Sequence, residues 1–132
     1  MHSNVNGYIN KADNINEFLA SKASKTNFDV ICVSETSLGE EDVIPDNAKL
    51  NGFNEPFTTN TLTNKGGVAI FSKNPNASER EDLKMKNKEY EGVWIEINNK
   101  GSKNTIIGCI YIYIDIPTTI TLTYSLNTST IA

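Results

Sequence analysis

The chain has 132 residues, of which 38% are hydrophobic and 21% charged, the make-up of a folded globular domain rather than a disordered chain. Its net charge of −4 excludes a non-specific nucleic-acid binder that works through a basic face, but not a nuclease, whose metal-binding carboxylates are themselves negative. No apolar run approaches the about 18 residues of a membrane helix, and Met1-His2-Ser3-Asn4 lacks the basic-then-apolar order of a signal peptide, so an intracellular protein, cytoplasmic or nuclear, is expected.

Met1 to Asn6 reads as the end of a strand, with His2 a ragged terminal residue. From Lys11 to Ala23, Ile15, Phe18, Leu19 and Ala23 recur at helical spacing and predict an amphipathic helix. Asn14 with Glu17 offers a capping-box start, and Asn10 or Asp13 are alternative caps. Phe28 to Ser34 is a short apolar run between polar flanks, predicting a strand covered on both faces and hence an α/β layer. Glu40 to Asn51 is acidic and turn-rich, and the cluster Glu40-Glu41-Asp42 reads as a solvated loop.

A short strand is expected within Phe53 to Thr59. Lys65-Gly66-Gly67 then signals a turn into a buried strand, Val68 to Ser72. The two glycines precede a strand and lack the Walker spacing, so they do not read as a phosphate loop. Residues 79–89 read as a solvated connection. Gly92 to Ile97 and Thr105 to Tyr111 predict a hairpin turning through Asn98 to Lys103. Trp94, Tyr90, Phe53 and Phe57 read as strand-core aromatics rather than a base-stacking platform. Cys32 and Cys109 each sit in an apolar run, as buried free thiols do. Beyond Ile112 the only charged residue is Asp115. A strand up to Pro117 is compatible with the alternation there, and Thr119 to Tyr124 alternates again with no obvious partner.

The candidate site is Glu35. It directly follows a buried strand, at the carboxyl end where open α/β sheets bind ligands, and a carboxylate there suits a hard cation such as Mg²⁺. Asn4-Val5-Asn6-Gly7, a helix, and then Phe28 to Thr36 with its Ser34-Glu35-Thr36 ending resemble the opening of the endonuclease/exonuclease/phosphatase family. The wording is most similar to the endonuclease domains of non-LTR retrotransposons. Lys65 to Ile70, Val93 to Ile97 and Ile106 to Tyr111 are similar to that group's glycine-rich strand entry and following strand pair, in order, so the likeness spans Asn4 to Tyr111.

The resemblance implies an α/β fold, a partial two-sheet sandwich of that type over residues 1–111, with 112–132 a divergent C-terminal tail. It also implies Mg²⁺ (or Mn²⁺) at Glu35, DNA as partner, and phosphate-orienting roles for Asn4, Asn6 and Tyr111. Tyr8 and Ile9 stand where the group usually has Leu-Arg, and Ile112-Tyr113-Ile114 where it has an Arg-Pro-like turn. The family's later Asp-x-Asn, further aspartate and terminal Asp-His pair have no counterpart after Tyr111. The expectation is therefore a truncated Mg²⁺-dependent endonuclease-like domain with little or no activity alone. A non-catalytic nucleic-acid- or protein-binding remnant is the alternative, and a phosphatase of the same superfamily is disfavoured by the motif wording.

Overall fold

A computed structural model describes residues 1–21, 27–61, 65–87 and 89–112, and the backbone of 120–128. The first layer contains β1 (His2–Asn4), α1 (Ala12–Ala20), β2 (Val30–Ser34), β3 (Phe57–Thr59) and β4 (Val68–Ser72). Its four strands run in the order β1-β2-β4-β3, with β1 parallel to β2 and the other pairs antiparallel. The parallel pair follows from the crossover through α1, since a helix returns the chain to the edge it left. The second layer is an antiparallel sheet of β5 (Ala77–Glu79), β6 (Met85–Lys86), β7 (Tyr90–Ile97), β8 (Asn104–Ile112) and β9 (Ile120–Thr128). The chain is thus α/β, compatible with a partial sandwich of the expected kind.

Strand alternation divides the interior into two cores. Ile31 and Val33 of β2 and Ala69 and Phe71 of β4 pack with Tyr8, Ala12 and Ile15 on the helix side. Cys32 on β2 and Val68 and Ile70 on β4 face the other way, against Val93, Ile95, Cys109 and Tyr111 of the second sheet. With both faces covered, the central strands can be apolar throughout, as their sequences suggest. Tyr8 anchors the helix side. Its ring lies 5.3 Å from that of Phe71 and its hydroxyl donates to the carbonyl of Ala48.

The helix spans Ala12–Ala20, inside the predicted Lys11 to Ala23, and starts before its first apolar-face residue, Ile15. A 3-10 turn (Ile9–Lys11) leads into it, and Lys11 occupies the cap position without a side-chain bond, so none of Asn10, Asp13 and Asn14 caps it. Ile15 is buried but Phe18 is 44% exposed, and Ala23 lies outside the described residues. Within the predicted solvated connection, residues 79–87 form more structure than their charge suggests. Arg80 donates to Asp82 and Glu96, each at 2.7 Å, and its backbone N–H bonds to Trp94. A short 3-10 turn and β6 follow. The acidic cluster is a turn as expected, with Asp42 capping the Gly39 N–H at 2.7 Å and Glu40 paired to Lys86 at 2.8 Å.

The hairpin forms as expected, in register from Tyr90↔Ile112 to Ile97↔Thr105. Asn99 secures its turn by donating to the Lys103 carbonyl and the Thr105 hydroxyl, both at 2.9 Å. The second alternating stretch does have a partner: β9 pairs with β8 along its length, from Ile112↔Ile120 to Asn104↔Thr128. The stretch expected to continue as strand up to Pro117 lies outside the described residues from 113 on.

The four aromatics form no common platform. Phe53 packs on the first core and Phe57 on the second, while the Trp94 ring lies on Gly108 across the strand pair. A Cβ at Gly108 would sit 2.3 Å from the Trp94 ring. Gly108→Ala should therefore destabilise the chain by about 1–3 kcal/mol, read as a lower denaturant midpoint with unchanged slope.

Candidate metal and phosphate site

Glu35 directly follows β2, in a backbone conformation that side chains disfavour. Its φ is +56°, with Ser37 at +58° and Asn6, on the neighbouring chain, at +46°. Such residues cost roughly 1–3 kcal/mol each and persist where their surroundings over-determine them. Here the surroundings do so on both sides. Past the end of β1, Val5 donates its N–H to the Ser34 carbonyl, Gly7 to that of Glu35 at 2.7 Å, and Tyr8 to that of Thr36. On the other side, the N–H groups of Thr36 and Ser37 donate to the carbonyls of Gly67 and Gly66 at 3.2 and 2.8 Å. The sheet's hydrogen bonding thus continues beyond its last strand residues and holds Glu35 between two chains.

The side chain is fixed from the opposite layer. Tyr111, near the end of β8 and 7% exposed, donates its hydroxyl to Glu35 Oε1 at 2.8 Å. Two of the predicted site residues, distant in sequence, therefore meet in space. Asn4 and Asn6 come to the same end of the first sheet and are exposed, with Asn4 paired in register with Ser34 beside Glu35. His2 is part of β1 rather than a ragged end. Its Nε2 lies 3.4 Å from the Ser34 hydroxyl. Burial, helped by the nearby amino terminus, lowers its pKa.

The site also rests on Gly67 of the predicted glycine turn and on Glu91, which lies just outside the predicted strand. Glu91 is 1% exposed and accepts the Gly67 N–H at 2.6 Å. Gly67 has φ +89°, and a Cβ there would lie 2.3 Å from the Thr36 hydroxyl oxygen. Glu91 falls between the predicted charged connection, 79–89, and the predicted strand start at Gly92. Extending the alternation Val93, Ile95, Ile97 back by two residues puts it on the core face, and that was the available signal.

Among the described residues, no group of three or more His, Cys, Asp or Glu is arranged to hold a metal ion. A single partly exposed carboxylate does fit Mg²⁺, which is commonly held through one or two carboxylates and keeps several waters. Glu35 has one oxygen oriented by Tyr111 and is otherwise open to such a hydrated cation.

The family model for the Endonuclease/Exonuclease/phosphatase family matches residues 1–108. The chain belongs to this family. No curated protein and no solved structure matches it. The matched span takes in β1, the Glu35 turn, the glycine turn and most of the hairpin, and it ends three residues short of Tyr111. Among the described residues, no helix is long and apolar enough to cross a membrane.

For this family member, the glycine turn is the sensitive point. Gly67→Ala should cost at least about 2 kcal/mol of stability, because it combines a left-handed backbone with a steric overlap on Thr36. Equilibrium denaturation of the two forms measures the difference.

Proposed function

We propose that this chain carries the amino-terminal half-site of a Mg²⁺-dependent phosphodiesterase related to retrotransposon DNA-nicking endonucleases, and that its 132 residues alone have little or no nicking activity. The observation that carries the reading is the Tyr111 hydroxyl on Glu35 at 2.8 Å, which presents a carboxylate at the carboxyl end of a sheet in a chain of this family. Glu35 would hold the cation, Mg²⁺ or Mn²⁺. When bound, it supplies positive charge against the phosphate oxygens and acidifies water. Tyr111 orients the carboxylate, and Asn4 and Asn6 offer amide donors at the same rim for the non-bridging oxygens.

Nicking of duplex DNA is hydrolysis of one phosphodiester bond. Water oxygen joins phosphorus, one P–O ester bond breaks, and the two protons of water pass to the products. That proton traffic needs a general base and an acid for the leaving oxygen. After Tyr111 the chain has a single aspartate, Asp115, and no histidine, which supports low activity for these residues by themselves. The family's part is taken as 1–111. The divergent segment 112–132 adds β9 to the second sheet. The motif wording around Asn4 to Gly7 and Lys65 to Gly67 supports the retroelement relation and DNA as partner. Two buried cysteines that form no disulfide support an intracellular setting.

Two measurements test the reading. Mn²⁺ binding, followed by the paramagnetic resonance of the free ion, should fall at least about tenfold in Glu35→Gln. Supercoiled plasmid with Mg²⁺ should show no nicking above a Glu35→Ala control; nicking above that control would overturn the inactivity. A non-catalytic contact surface is the second reading, favoured by the same lack of a histidine after Tyr111. Salt-dependent DNA retention unchanged by Glu35→Ala would select it.

A further inference from the structure

Glu91 is a buried carboxylate near the start of β7, at the rim end of the interface between the layers. It shares the inward face of β7 with Val93 and Ile95, both fully buried, and is itself 1% exposed. A carboxylate taken out of water costs several kcal/mol unless hydrogen bonds compensate. One such bond is accepted from the Gly67 N–H at 2.6 Å. Beyond it, the Gly66 and Gly67 carbonyls receive the Ser37 and Thr36 N–H groups, which follow Glu35 directly. Glu91 is also the cross-strand partner of Tyr111, with side chains on one face. From Glu91 one route therefore runs through Gly67 and Thr36 to the Glu35 backbone, and another through Tyr111 to the Glu35 carboxylate.

We propose that Glu91 is the positioning residue of this site: its carboxylate clamps the Gly66-Gly67 turn so that Glu35 keeps its left-handed conformation within reach of Tyr111. It touches neither cation nor phosphate. A purely structural carboxylate at the same place would affect stability alone. The inference rests on Glu35 as the cation ligand only where metal binding is read out, since the Tyr111–Glu35 contact can be observed without metal.

The test uses the whole 132-residue chain with tyrosine labelled at ¹³Cζ, the Tyr111 signal being assigned by Tyr111→Phe. Glu35→Gln marks the shift that accompanies loss of the charged acceptor. Glu91→Leu keeps the bulk of the side chain but removes the acceptor. It should shift the Tyr111 signal in metal-free protein and weaken Mn²⁺ binding about tenfold. Glu91→Gln, which retains an acceptor at the same length, should restore both to within about twofold. Val93→Ala, a neighbouring core truncation, should lower stability and leave both readouts in place. If the leucine variant does not fold, Glu91→Asp, which draws the carboxylate back by one methylene, should give the same loss. A folded Glu91→Leu or Glu91→Asp protein with the wild-type Tyr111 signal overturns the proposal. Mn²⁺ binding that is indifferent to Glu35→Gln overturns the metal reading instead, and the Tyr111 signal still decides the role of Glu91.

Discussion

The hydrogen bond from Tyr111 to Glu35 joins the two layers at the rim where the candidate chemistry lies. Glu35 belongs to the first sheet through its backbone and to the second through its carboxylate. A left-handed residue at the end of a strand would relax if it were held on one side only. Here the extension of β1 holds one edge and the glycine turn before β4 the other. The side chain is then oriented by a residue 76 positions away. Much of the remaining architecture keeps these anchors in place.

The two cores supply that rigidity in different ways. The helix-side core fixes where β1 ends, because Val5 and Tyr8 are buried immediately after the strand and the Tyr8 hydroxyl is tied to Ala48. That fixes the N–H groups that reach the Glu35 turn. The inter-sheet core fixes the register of β7 and β8, and with it the height of Tyr111 and Glu91 relative to the end of β2. Thr59 adds a polar tie between the layers, its hydroxyl donating to the Gly92 carbonyl at 2.8 Å. A site assembled across two cores inherits its precision from both.

The sequence revealed the parts of this arrangement that depend on local pattern. Apolar runs located β2 and β4, and the turn residues between Asn98 and Lys103 located the hairpin. The position of Glu35 after its strand, with the flanking motifs, pointed to the site and family. What local pattern missed depends on contacts across the fold. Glu91 looks like a surface charge because its neighbours in sequence are charged, and its environment is set by β8 and Gly67 instead. The helix start is set by the burial of Tyr8 and Ala12 rather than by a capping side chain, so the cap signals misplace it. The partner of β9 was hidden for a related reason. Strand pairing is a property of two segments, and alternation in one of them does not name the other.

Cys32 and Cys109 project from opposite layers into the shared core, neither in a disulfide and both almost fully inaccessible. A hydrogen bond with Cys32, together with burial, keeps the Cys109 thiol strongly protonated, and its Sγ lies 3.8 Å from the Val33 carbonyl. Neither sulfur can meet a reagent while the layers stay closed. The rate at which an alkylating reagent captures them thus gauges how often the sandwich opens along its inner seam. That seam ends at the contact of Tyr111 with Glu35, so a parting of the layers that admits a reagent to the thiols also separates the two residues at the rim.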